Sequence, residues 1–223
     1  PSSAVSSTRI QQDMEALSRI GLDSLGGITR PAYTREHWEA RAYVSERMIA
    51  AGMQVGEDAA GNLIGRWPKG MSDPALAMGS HVDSVPYGGQ FDGTAGVVCA
   101  LEAVRAMQES GFCPGYPLEV IVFAEEEGAR LNHPLFGSKA MAGMLDPLLL
   151  EQMTDRDGIP LARVLESVGL SLERLPEARR RPEEFLAYLE LHVEQGSILE
   201  EKGIPIGVVT GIVGVRFLEM VIM

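Results

Sequence analysis

Ala75-Leu-Ala-Met-Gly-Ser-His-Val82, the run Thr94 to Glu109, and Leu118-Glu-Val-Ile-Val-Phe-Ala124 together decide the fold. The outer two segments are short and mostly apolar, as strands covered on both faces of a sheet are. The middle one carries Val97, Val98, Leu101, Val104 and Ala106 at helical spacing. Strand, helix, strand predicts a βαβ unit in a layered α/β domain, with a right-handed crossover.

Working outward, apolar periodicity predicts helices over Ser7 to Ile20 and Thr34 to Ala51, the second capped by Thr34 and stopped by Gly52. Met53 to Glu57 and Asn62 to Trp67 read as a hairpin around the turn Asp58-Ala-Ala-Gly61. The polar stretch Asp146 to Pro182 reads as a surface insertion with one helix near Leu161 to Val168, and Arg179-Arg-Arg181 as a solvated face. Phe185 to Val193 and Ile206 to Val213 are expected strands, with a short helix over Gly196 to Lys202. Phe217 to Met223 alternates like a strand and stops without cap or turn, so the chain is expected to be cut in mid-domain.

With 223 residues, 45% of them hydrophobic and 22% charged, the composition is that of a globular protein and excludes disordered or fibrous classes. The 19 basic residues face 31 acidic ones, and a formal net charge of −12 repels phosphate backbones and anionic lipid. Neither nucleic acid nor a membrane is an expected partner. No apolar run approaches the roughly 20 residues that cross a bilayer, and Pro1 to Ile20 lacks the pattern of a secretory signal. A cytoplasmic location is therefore expected. Cys99 and Cys113 belong to no CxxC pair and read as reduced spectators.

The glycine-rich Gly88-Gly-Gln-Phe-Asp-Gly-Thr-Ala-Gly96 has neither GxGxxG spacing nor a GK[ST] ending, and no G-x-S-x-G elbow occurs. It does place Asp92 between a buried strand and a helix, and ligands of open α/β sheets bind at the carboxyl ends of strands. His81-Val-Asp83 closes the first strand, Glu125-Glu-Glu127 follows the second, and His192 closes the strand from Phe185. Taken singly, a histidine at a strand end is a hydrogen-bonded structural group, and successive glutamates are solvated. All four clusters are expected along one sheet edge, where crowded carboxylates repel one another and a divalent cation relieves the crowding. Imidazole with carboxylate suits zinc, manganese, cobalt or nickel better than calcium. Such a set can hold two ions about 3.5–4 Å apart with one carboxylate bridging. Asp83, on the same side of the strand as His81, can accept the second imidazole proton and fix the tautomer.

At these residues the sequence resembles a known family. His81-Val-Asp-Ser-Val-Pro86, Gly88-Gly-Gln-Phe-Asp-Gly93 with Gly96-Val97, Glu125-Glu-Glu-Gly-Ala-Arg130, and His192-Val-Glu-Gln-Gly196 with Leu199-Glu200 carry the likeness. They are similar to the N-carbamoyl-L-amino acid amidohydrolase branch of the dinuclear metallopeptidase and aminoacylase superfamily, which also holds allantoate amidohydrolase and β-ureidopropionase. Gly61-Asn-Leu-Ile-Gly-Arg66 and Phe136-Gly-Ser138 fit as well. The resemblance implies a truncated α/β/α zinc-peptidase fold with a mixed, mostly parallel sheet. It implies two divalent metal ions, His81 and His192 on one, Asp92 bridging, Glu127 on the other, Glu126 as general base and Gln195 in substrate binding. Residues 1–214 would then be the first part of the catalytic domain, and 215–223 the start of a lid and dimerisation domain whose remainder is absent. A small-molecule substrate, a homodimer and a cis peptide at Asp92-Gly93 are further implied. Leu131 and Tyr87 depart from the family's usual Phe and Asn, which bears on substrate fit. The reaction expected is hydrolysis of a linear ureido or amide C–N bond, releasing ammonia and carbon dioxide. An aminoacylase or metallo-exopeptidase is the first alternative. A non-catalytic scaffold is the second, although a scaffold has no use for Glu126.

Overall fold

The computed structural model describes residues 5–212, which fall into two compact units divided between Val193 and Glu194. In the first unit the chain runs α1 (Ser7–Ser18), α2 (Arg35–Ala50), β1 (Gln54–Glu57), β2 (Leu63–Trp67), β3 (Ala75–His81), α3 (Thr94–Glu109), β4 (Leu118–Phe123), α4 (Phe136–Ala142), α5 (Pro147–Gln152), α6 (Leu161–Glu166) and β5 (Phe185–Leu189). The Thr34 hydroxyl accepts from the His37 amide and starts α2 as its position predicts. The second unit holds the short helix α7 (Ile198–Glu201).

The strands form one mixed sheet in the order β1-β2-β4-β3-β5. The β1–β2 hairpin is antiparallel, and β2 continues antiparallel onto β4. β3 lies parallel to both β4 and β5, so the expected βαβ unit is present. His81 pairs with Phe123, and the chain therefore leaves β3 and β4 side by side at one edge.

Alternation along β4 builds the layers. Leu118, Val120 and Val122 join a core with Leu17 of α1, Val44 and Met48 of α2, and Leu101 and Val104 of α3. Ile121 and Phe123 point the other way, into a smaller cluster with Met141 of α4. Each fully buried side chain of this size contributes about 1.5–3 kcal/mol, which is why the sheet needs cover on both faces.

Several expectations are corrected here. Asp146 to Pro182 is not a surface excursion: Met153, Leu161, Val164, Leu165, Leu175 and Ala178 are buried in one cluster with Leu131 and Phe136. The polar residues between them masked this apolar spacing. Arg180 is not on a solvated face either. Its guanidinium lies 3.4 Å from buried Glu119, which also takes Arg66 at 2.5 Å, because an isolated carboxylate inside the protein draws in cations. β5 ends at Leu189, short of His192, and residues 206–212 form no strand among the described residues. A strand requires a neighbour to take its backbone hydrogen bonds, and among the described residues 206–212 pairs with none. Phe217 to Met223 and the expected boundary at 214 lie outside the described residues. No helix of the described residues is long and apolar enough to cross a membrane.

The amino-terminal helix is tied to the crossover helix through Glu102, whose side chain is fully buried. Glu102 accepts from the Ser6 amide at 2.8 Å and from Arg9 Nε and Nη2 at 2.9 and 2.7 Å. Burial pushes its carboxyl upward, but the hydrogen bonds from Arg9 and Ser6 outweigh that and hold it below the ordinary carboxylate range. The folded pKa being depressed, this stabilisation is present above the ordinary carboxylate pKa and is lost as pH falls through the lower folded value. Glu102→Gln is expected to destabilise the protein by about 2 kcal/mol at neutral pH, discounted because Arg9 is one-third exposed. Urea unfolding at pH 7 and through a series of acid pH values measures both the loss and its decline as the carboxyl takes up its proton.

Candidate metal centre

Three parallel strand ends and one crossover loop bring the acidic and imidazole side chains together. His81 is the last residue of β3, Glu125 to Glu127 follow β4, and His192 lies three residues beyond β5. Asp92 sits in the loop before α3. Ligand atoms of His81, Asp92 and His192 lie within 4.8 Å of one another. His192 Nε2 is 3.2 Å from Asp92 Oδ1, and His81 Nε2 is 3.9 Å from the same oxygen. Glu127 Oε1 comes within 3.6 Å of His81 Nε2.

Both imidazoles are presented the same way. His81 Nδ1 is 2.9 Å from the Asp83 carbonyl, and His192 Nδ1 is 2.9 Å from the Val193 carbonyl. A carbonyl only accepts, so each Nδ1 carries a proton and each Nε2 is directed toward Asp92, where His192 Nε2 donates to the carboxylate and would offer its lone pair once a cation took the proton's place. The expected role of the Asp83 carboxylate is thereby corrected. It stands 3.7 Å from His81 Nδ1 and instead accepts the Glu127 amide at 3.0 Å. At the strand exit the Asp83 carbonyl, at 2.9 Å, is the nearer partner of the ring. Asp83 Oδ1 remains buried without a hydrogen bond.

Gly93 makes the approach of Asp92 possible. Its φ is +63°, and a Cβ there would fall inside the His81 ring. The expected cis bond at Asp92-Gly93 is absent: among the described residues the cis peptides are Trp67-Pro68 and Asp73-Pro74. The left-handed glycine turns the chain, so the amide need not. The Thr94 amide then donates to the Asp92 carbonyl at 2.6 Å and opens α3.

Electrostatically the centre asks for cations. Burial raises the Glu126 carboxyl to about 7, against the lowering effect of the Ser138 hydrogen bond. Burial raises Glu127 as well, partly offset by His81. The hydrogen bond to Asp92 lifts the His192 imidazole to about 9. A proton is thus shared where converging lone pairs could hold a metal ion, and the donor set of two imidazole Nε2 atoms with carboxylates fits a borderline transition metal. Glu125 is fully buried and is a structural residue. Its Oε1 accepts the Arg130 and Leu131 amides at 3.0 and 2.5 Å, and burial pushes its carboxyl up to about 8. Gln195 falls in the second unit with φ +54°.

Sequence reasoning missed three supporting side chains. Asn62, fully buried, donates to the Gly137 carbonyl at 3.0 Å and accepts the Ala124 amide at 2.9 Å, clipping the two ends of the glutamate loop. Its place beside Gly61 in a turn was the available signal. Arg30, 2% exposed, donates to the Val82 carbonyl at 2.5 Å, to Leu17 and Ile20 carbonyls at 2.8 and 2.9 Å, and to Thr94 Oγ1 at 3.3 Å. It anchors the exit of β3 to the start of α3, and nothing local in the sequence marks it. Ser138 Oγ donates to the Glu126 carboxylate at 2.9 and 3.0 Å from its two oxygens.

Residues 77–220 match the profile of Peptidase family M20/M25/M40. The chain is 45% identical to an N-carbamoyl-L-amino acid amidohydrolase of Geobacillus stearothermophilus, over 96% of this chain and 52% of that protein. It is 37% identical to a ureidoglycolate hydrolase of Oryza sativa subsp. japonica, over 93% of this chain and 44% of that protein. A hydantoinase/carbamoylase family amidase from Burkholderia ambifaria superposes with a TM-score of 0.81 at 32% identity, covering 89% of this chain and 48% of that one. The chain spans about half the length of the curated relatives it matches.

Proposed function

The chain belongs to Peptidase family M20/M25/M40, and from that premise we propose that its full-length protein hydrolyses the linear C–N bond of an N-carbamoyl-L-amino acid or related ureido acid. One water is consumed, and the free amine, ammonia and carbon dioxide are released. The single observation that carries this reading is the meeting of His81, Asp92, Glu127 and His192 beside Glu126 at the carboxyl edge of β4, β3 and β5. The ureido substrates in the names of similar proteins support the substrate class.

His81, Asp92 and His192 would hold one divalent cation, and Asp92 with Glu127 a second, of the zinc, manganese, cobalt or nickel type. Such ions lower the pKa of water and polarise a carbonyl. Glu126 takes the proton of the attacking water on its carboxylate and returns it to the leaving nitrogen. A carboxyl whose affinity for protons lies near neutrality suits both directions of that transfer. The Asp83 and Val193 carbonyls keep the two imidazoles in the tautomer that offers Nε2, and Asp83 holds the Glu127 amide. Gln195 is assigned to substrate binding. A homodimer in the cytoplasm completes the proposal, the two unpaired cysteines suiting a reducing compartment.

The test compares hydrolysis of N-carbamoyl, N-acetyl and dipeptide derivatives of the same amino acids by the metal-loaded full-length protein. Preference for the carbamoyl series, with ammonia released in step with amine, is the expected result. Preference for acetyl or dipeptide substrates would move the protein to the aminoacylase or exopeptidase reading.

A further inference from the structure

We propose that Ser138 is a positioning residue for the general base: its hydroxyl spans the Glu126 carboxylate and holds that group in the orientation proton transfer requires. The inference rests on the reading of Glu126 as the base. It stands on how the fold brings two residues twelve apart in sequence back together.

After β4 the chain departs at Ala124 and returns at Gly137. The Gly137 amide donates to the Ala124 carbonyl at 2.9 Å, the Phe136 amide to Glu125 at 3.1 Å, and the Leu135 amide to Glu126 at 2.9 Å. Asn62 fastens the same two ends from the side. Only glycine fits at 137, where a Cβ would meet Asn62 Oδ1 and the Ala124 backbone. Positive φ values at Glu125 (54°) and Leu135 (65°) complete the return. These contacts deliver Ser138, in the first turn of α4, onto the carboxylate of Glu126.

The Ser138 hydroxyl has one proton and three acceptors in reach: Glu126 Oε1 at 2.9 Å, Oε2 at 3.0 Å and the Leu135 carbonyl at 3.3 Å. A serine in a helix often donates back to a carbonyl of the preceding turn. Here the carboxylate is both nearer and charged, and charge-assisted hydrogen bonds are roughly twice as strong as neutral ones. Near-equal distances to both carboxylate oxygens set the hydroxyl close to their bisector and hold the position and direction of the group. A base that must take a proton from one atom and deliver it to another gains from a held position, since misplacement of about 1 Å can lower a rate by roughly a hundredfold.

The experiment uses the metal-loaded full-length protein with Ser138→Ala, Ser138→Thr, Glu126→Gln and the double variant S138A/E126Q. Ser138→Ala is expected to lower kcat about tenfold and leave KM within about twofold, the split that marks loss of a transition-state contact. Metal content and melting temperature stay those of the wild type, and Ser138→Thr recovers most of the rate. In the Glu126→Gln background, Ser138→Ala produces no further loss. A readout independent of turnover is the carboxylate stretch in infrared difference spectra of the metal-free protein. Ser138→Ala should shift a band there, and the same substitution on Glu126→Gln should not. Wild-type kcat in Ser138→Ala beside an inactive Glu126→Gln overturns this inference and leaves the functional reading standing. Loss of metal or of thermal stability in Ser138→Ala, or an independent loss in the double variant, also overturns it. A fully active Glu126→Gln removes the base assignment itself, and this inference with it.

Discussion

Glu126→Gln is expected to lower kcat by roughly 10³-fold while the protein keeps its metal and its fold, because positioned general acid–base groups contribute about 10²–10⁴. The amide keeps the volume of the carboxyl and can still accept from Ser138, but it cannot take a proton from water. KM should change little, since the loss falls on a step after binding. Metal analysis and steady-state kinetics on the same sample separate the outcomes. Retained metal with lost turnover supports the role of Glu126 and removes the scaffold reading, whereas turnover at the wild-type level rejects it.

The second large effect is expected at Asp92. Its Oδ1 lies 3.2 Å from His192 Nε2 and 3.9 Å from His81 Nε2, which makes it the meeting point of the converging donors. Asp92→Asn keeps the shape and the main-chain bond from Thr94 but removes the charge that would compensate two cations. Perturbing even a supporting partner of a metal ligand costs about 10–100-fold in affinity, so loss of this carboxylate should lower it by at least about 100-fold. Titration calorimetry against zinc and manganese, with circular dichroism to verify the fold, measures the change. Undiminished binding of both ions would place the centre elsewhere. The His192 imidazole, which owes its raised pKa of about 9 first to the hydrogen bond with Asp92, should return toward its ordinary range in the same metal-free variant. An NMR titration of its ring protons follows that independently.

What could be read beforehand follows the range over which each force acts. The βαβ unit, the β1–β2 hairpin and the Thr34 cap were legible because periodicity and turn chemistry are written in neighbouring residues. His81 and the glutamates after Phe123 could be placed because they stand at or just beyond the ends of buried β3 and β4, whose parallel pairing carries them to one edge, whereas Asp92 and His192 lie in loops beyond the strands and were marked by the motifs around them. Ser138, Asn62 and Arg30 were not. Their partners lie twelve, sixty-two or seventy-five, and sixty-four or fewer positions away, and only tertiary closure makes those pairs adjacent. Asp146 to Pro182 was misread for a related reason: its buried residues are spaced over several short helical turns, and no single window displays them together. At Asp92-Gly93 the expected cis peptide was wrong: the chain turns there through the positive φ of Gly93.

The clip made by Asn62 has a consequence for how this scaffold can diverge. Because the departure and return of the glutamate loop are riveted to a side chain of the neighbouring strand region, the exposed tip around Asn132 and Pro134 can drift in composition without dragging the reactive carboxylate along. The placement of the reactive carboxylate is thereby set by the two ends of this dozen-residue excursion and not by the composition of its tip.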